Sequence, residues 1–212
     1  MESQRALAKR KEKGVKRKTP HKYKLLMNFI IWNSKGANSA KFRRHCSSMV
    51  KLHNLAVLLL LETHMADYKH LANELHFSDQ FQSPTNGQSG NIVAMWKDEL
   101  IKLEEISTSP QGIHVMVKVH SPPNFFFFST IYASNTLSDG IKLWDHLVDI
   151  AFVFKGGWLV GGDFNEVLKA KDKFGGNSIS AIRANHFWNC INKCNLVYLR
   201  FKGSKYTWSN KR

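Results

Sequence analysis

The sequence predicts an α/β or α+β domain whose mixed β-sheets are covered by helices. Three observations lead there. Apolar runs of strand length alternate along the chain with stretches of helical spacing. Leu55–Leu61 is continuously apolar, the pattern of a strand buried on both faces, and Phe125–Tyr132 reads as a second buried strand. Neither an internal repeat nor a second linker interrupts the alternation.

Taken in order, residues 1–24 read as a basic disordered tail. They hold ten Lys or Arg and two Glu and are too charged to pack. The clusters Lys9-Arg10-Lys11 and Lys16-Arg17-Lys18 suit a nucleic-acid arm or a nuclear address, or simply a solvated tail. The domain is expected over 25–212. Leu26–Trp32 reads as its first strand. Ala37–His53 has helical spacing, with Phe42, Cys46, Met49 and Val50 on one side. After the strand Leu55–Leu61 come a short helix, Tyr68–Leu75, and a strand, Asn91–Trp96, that follows a Gly-rich turn. Ile113–Val119 alternates Ile and Val against His114, Met116 and Lys118, which predicts one exposed face. Pro122-Pro123 breaks the chain before Phe125–Tyr132. Ile141–Phe154 reads as a helix, Trp158–Gly161 as a strand, Ile182–Cys194 as a helix, and Tyr206–Trp208 as the start of one more strand.

Composition bounds the partners. The 212 residues carry a formal charge of +15 and 43% hydrophobic residues, enough for a real core. The body beyond the tail is itself basic, with 21 Lys or Arg against 14 acidic residues. A basic body with a basic tail favours a polyanion, most simply nucleic acid. Three cysteines do not make a disulfide framework. Cys190 and Cys194 share a helix face and are expected to be core thiols. No stretch reaches the roughly 18 apolar residues of a membrane span, and the N-terminal residues lack the apolar region of a signal peptide, so no membrane partner is expected.

Polar groups that could do chemistry recur where apolar strands end. They are Asn33, Glu62, Tyr132 and then Asp163 and Asn165, in the run Gly161-Gly162-Asp163-Phe164-Asn165-Glu166. In sheets covered by helices, strand ends commonly gather into one cleft. Two carboxylates, two carboxamides and a phenol would make a hard oxygen-donor set, suited to Mg²⁺ or Mn²⁺ and poor for zinc. Such an ion beside carboxylates suits hydrolysis at phosphate. Each residue also has a plainer reading: Glu62 as a helix cap, Asn33 as a turn former, Tyr132 as a core aromatic, Asp163 as an Asx-turn residue.

The segments Ile31-Trp32-Asn33-Ser34-Lys35-Gly36, Leu60-Leu61-Glu62-Thr63, Ile131-Tyr132-Ala133-Ser134 and Gly161-Gly162-Asp163-Phe164-Asn165 resemble successive motifs of the endonuclease/exonuclease/phosphatase superfamily. More narrowly, they resemble the apurinic-type endonuclease domain of plant LINE-type non-LTR retrotransposons. Phe174-Gly175-Gly176-Asn177 and Tyr206–Arg212 extend the likeness, which runs from about Met27 to Arg212. It implies a four-layer sandwich of two packed mixed sheets flanked by helices. It also implies Mg²⁺- or Mn²⁺-dependent nicking of DNA, leaving a 3′ hydroxyl that primes reverse transcription. By the same likeness Glu62 is the principal metal ligand, assisted by Asn33. Asp163 orients or activates the attacking water, and Asn165 holds that Asp and the scissile phosphate. Tyr132 places its hydroxyl near the phosphate oxygens, and Thr207 lies near the bound backbone. DNA is the expected partner, with RNA as a further candidate, a reverse transcriptase domain as a companion, and the nucleus as the location.

The sequence departs from the pattern in several places. A further Asp and a Ser-Asp-His element that complete the family's site do not occur before Arg212. The closing strands are therefore expected to be missing, with a sheet edge left uncovered. Ser34-Lys35 stands where Cys-Arg is usual, and Tyr198 where an Asp is common. Three readings follow: an active DNA endonuclease of retroelement origin, a truncated inactive remnant that binds nucleic acid, and a small-molecule phosphatase of the same superfamily.

Overall fold

The computed structural model describes residues 5–9, 27–65, 67–84, 91–168, 175 and 179–199. Ten strands and four helices are described. They run β1 (Arg5–Lys9), β2 (Asn28–Asn33), α1 (Ala40–His53), β3 (Leu55–Leu61), α2 (Lys69–Glu74), β4 (Asp79–Gln82), β5 (Val93–Trp96), β6 (Ile101–Ser109) and β7 (Gly112–Val119). β8 (Asn124–Tyr132), α3 (Leu137–Val153), β9 (Trp158–Asp163), α4 (Ala181–Lys193) and β10 (Leu196–Tyr198) follow.

Two mixed sheets result. One has the order β10-β1-β9-β8-β7-β6, the other β2-β3-β5-β4. Parallel pairs occur at β8–β9 and β2–β3, and the remaining neighbours are antiparallel. β3 shows how its sequence builds the layers. All seven of its residues are buried. Leu58 and Leu60 pack with Phe42, Cys46 and Val50 of α1. Leu59 and Leu61 join Val115, Val117 and Phe128 of the other sheet. A third cluster, including Leu143, Leu147, Trp158, Val160 and Phe187, seals α3 and α4 onto the outer face of the six-stranded sheet. The arrangement is the expected α/β sandwich: helices, sheet, sheet, helices.

Helix ends follow local chemistry. Ser39 caps α1 by accepting from the Phe42 amide, so the helix begins at Ala40 rather than Ala37. Thr136 caps α3 by accepting from the Asp139 amide and donating to its carboxylate at 2.9 Å, which starts that helix four residues before Ile141.

Several expectations are corrected. Residues 5–9 are not part of an unpacked tail: they form β1, inserted between β9 and β10, with Leu7 only 2% exposed. Ala and Lys are poor strand formers, so it is backbone pairing on both sides and the burial of Leu7, not local propensity, that make this piece a strand. β1 and β10 thus extend the six-stranded sheet beyond β9. β7 does not present an exposed face. His114 is fully buried against His146 of α3, and Met116 packs on the same cluster; Lys118 alone is exposed on that side. The unforeseen strands β4, β6 and β10 are all sheet edges, where half-exposed polar residues hide the periodicity. The expected strand Tyr206–Trp208, residue Thr207 and the cluster Lys16-Arg17-Lys18 lie outside the described residues.

Candidate active site

Four strand ends converge. Asn33 closes β2, Tyr132 closes β8, Asp163 closes β9, and Glu62 directly follows β3. Parallel pairing places Tyr132 opposite Asp163 in one sheet and Asn33 opposite Leu61 in the other. Two hydrogen bonds then join the sheets across their facing ends. Asn33 Nδ2 donates to Asp163 Oδ2 at 2.9 Å, and the Tyr132 hydroxyl donates to Glu62 Oε1 at 2.8 Å.

The local backbone explains why these side chains meet. Glu62 leaves β3 with a positive φ of 57° and turns its side chain out of the strand direction. Ser34 and Gly36 hold that turn by donating from their amides to the carbonyls of Leu61 and Glu62, at 3.0 and 2.7 Å. On β9, Gly162 has a φ of 144° and lies so close to β8 that an added Cβ would stand 1.9 Å from the Ile131 carbonyl oxygen. Only glycine permits that approach, and it aims the next residue, Asp163, at the facing sheet. Asn165 follows with a φ of 47°, and its amide donates to Asp163 Oδ1 at 3.1 Å. Both Asp163 oxygens are thus held, one by the end of β2 and one by the loop after β9.

Electrostatics differ between the two pairs. Burial, and then the Glu62 carboxylate it donates to, raise the Tyr132 phenol well above its ordinary range, with Asp163 adding to the effect. Tyr132 is therefore a proton-bearing donor at neutral pH. Glu62 Oε2, by contrast, is buried with no hydrogen-bonding partner among the described residues. A carboxylate oxygen left bare inside a protein costs free energy unless something cationic or a donor comes to it.

All five of the site residues singled out at strand ends, Asn33, Glu62, Tyr132, Asp163 and Asn165, therefore fall in one cluster. Two have contacts other than the resemblance suggested. The Asn165 carboxamide donates to the Ala133 carbonyl at 2.6 Å, so Asn165 holds Asp163 through its backbone and not its side chain. The Tyr132 hydroxyl is engaged with Glu62.

Two supports had no signature in the sequence. Arg183, in the first turn of α4, pairs with Glu166 at 2.7 Å and donates to the carbonyls of Asn165 and Asn135. It ties together the loops that follow β8 and β9. Gln111 receives the Ser134 amide at 2.7 Å and donates to the Asp139 carbonyl at 2.9 Å, bracing the chain after Tyr132. A single Arg or Gln forms no motif, and the partners are mostly backbone atoms.

No family model matches the sequence, and no curated protein matches it. Solved structures do match the fold. An AP endonuclease from Leishmania major superposes with a TM-score of 0.62 at 12% identity, over 79% of this chain and 66% of that one. The endonuclease domain of TRAS1, a telomere-specific non-LTR retrotransposon, gives 0.54 at 15% identity, over 78% and 71%. An endonuclease/exonuclease/phosphatase family protein from Bacteroides thetaiotaomicron gives 0.51 at 13% identity, over 66% and 63%. This chain spans about two thirds of the length of these structures. Its two facing mixed sheets, flanked by helices, have the endonuclease/exonuclease/phosphatase fold.

Proposed function

We propose that this chain is a metal-dependent phosphodiesterase that nicks DNA. The observation that carries the reading is the cluster itself. Asn33–Asp163 and Tyr132–Glu62 meet where the ends of both sheets face each other, and one Glu62 oxygen is left bare.

The donor set suits a hard divalent cation. Among the described residues, Glu62 Oε2 has no hydrogen-bonding partner, and Asn33 Oδ1 has only a 3.3 Å contact from the Lys35 amide. Glu62 and Asn33 would hold Mg²⁺ or Mn²⁺. When bound, the ion supplies charge neutralisation at the phosphoryl oxygens. Tyr132 keeps Glu62 turned toward the site and, being protonated, offers no competing charge. Asp163, fixed through both oxygens, accepts a proton from a water beside the phosphate. Asn33 and the Asn165 amide keep that carboxylate from rotating away. The net charge of +15 favours a polyanionic substrate over a small phosphate ester.

The finer reading is the endonuclease of a LINE-type element of plant origin, acting in the nucleus beside a reverse transcriptase. It rests on the four ordered motifs and the basic composition.

The test is nicking of supercoiled plasmid by residues 1–212 in Mg²⁺, beside an EDTA control and Asp163→Ala. Metal-dependent nicking that vanishes in Asp163→Ala supports the proposal. Salt-sensitive DNA binding without nicking replaces it with a noncatalytic nucleic-acid-binding protein.

A further inference from the structure

β1 is held on both sides by chain far from it in sequence. Its backbone pairs antiparallel with β9, Leu7 opposite Val160 and Ala8 opposite Leu159. On its other side it pairs with β10, Leu7 opposite Tyr198 and Lys9 opposite Leu196. Leu7 is 2% exposed, in the cluster that contains Phe127, Trp158, Phe187 and Leu196.

A second, independent contact lies at the end of α3. That helix has no basic residue in its last turn. Lys155, just beyond the helix, donates to the Ala151 carbonyl at 3.2 Å, and Lys9 adds a second charge: its ammonium donates to the carbonyls of Phe154 at 2.7 Å and Ala151 at 3.5 Å. Cations at a helix C-terminus satisfy orphan carbonyls and the helix dipole. The segment thus brings backbone donors and acceptors, one apolar anchor and one charge to three matching receptors.

Eighteen residues, 10–27, separate β1 from β2. At full extension they reach about 60 Å. β1 therefore has no covalent need to occupy this slot; its own contacts put it there. From these facts we infer that the six-stranded sheet contains a strand-binding site between β9 and β10. Its ligand is a short extended basic peptide with one buried leucine, and residues 5–9 are its resident occupant. Recognition is by strand addition, with main-chain pairing supplying affinity and Leu7 and Lys9 supplying selectivity. Because Arg5 lies opposite Gly162, occupancy braces the residue immediately before Asp163.

The experiment cuts the folded full chain with trypsin inside residues 10–24 and asks what becomes of the N-terminal fragment. On size exclusion the fragment is expected to co-elute with the body. It is also expected to exchange with an isotope-labelled peptide of residues 1–12. The Leu7→Asp form of that peptide should compete about 100-fold less well. Amide exchange of residues 159–162 and 196–198 should rise when the fragment is diluted away and fall when peptide is restored. A fragment that elutes alone, with protection of 159–162 unchanged, overturns the inference. Equal competition by the Leu7→Asp peptide does so too.

Discussion

Replacing Gly162 by alanine separates two costs that glycine usually combines. An added Cβ would lie 1.9 Å from the Ile131 oxygen and 2.8 Å from the Ile131 carbon and nitrogen. To reach ordinary contact the backbones of β8 and β9 must part by more than about 1 Å, which loosens the pairing that ends at Tyr132 and Asp163. Losing two ladder bonds at about 1 kcal/mol each, plus about 2 kcal/mol of backbone strain, gives about 4 kcal/mol. Gly36 is the control. Its φ is 103°, but nothing lies within 4 Å of its added Cβ. Gly36→Ala should carry the backbone strain alone, about 2 kcal/mol. For a domain of this size these become losses in melting temperature of about 12 °C and about 6 °C. Thermal unfolding followed by circular dichroism reads both. Equal shifts for the two variants would refute the steric argument and the close approach of β8 to β9.

Other outcomes follow from the same geometry. His114 is fully buried, and burial, with His146 beside it, pushes its imidazole down to about 3. The unfolded chain therefore binds the extra proton first. Stability should fall as pH drops below about 6.5, by up to about 1.4 kcal/mol per pH unit, and urea unfolding of His114→Gln should lack that part of the slope. Tyr132→Phe removes the donor to Glu62 Oε1, so the nicking rate should drop about 10- to 100-fold with folding intact by circular dichroism; an unchanged rate would remove Tyr132 from the site. Magnesium at about ten times its dissociation constant should stabilise the protein by about 1.4 kcal/mol, and Glu62→Gln should abolish the rise in melting temperature. A rise that survives in Glu62→Gln would place the ion elsewhere.

Much of this molecule was legible in the chain because burial leaves a pattern. Leu55–Leu61 must lie between two layers, since every second residue would otherwise face water, and β3 has those bounds. The helices showed in the spacing of Phe42, Cys46 and Val50, and of Leu143 and Leu147. Cys190 and Cys194, four apart, are buried together with sulfurs 3.9 Å apart. Polar groups at the ends of apolar strands marked Asn33, Glu62, Tyr132 and Asp163, because a strand end is a rigid support at a cleft.

What remained for tertiary structure to decide involves partners distant in sequence. The sequence could not say that the Tyr132 hydroxyl would meet Glu62, 70 residues away, or that Asn33 would meet Asp163 across 130. Residues 5–9 looked unfit to pack because charge dominates their surroundings. A single leucine and a row of backbone groups were enough once β9 and β10 offered a slot on either side. Edge strands such as β4 and β6 escaped notice because polar, partly exposed residues interrupt their apolar pattern. Local periodicity reports which face of an element avoids water; it does not report which other element supplies the shelter.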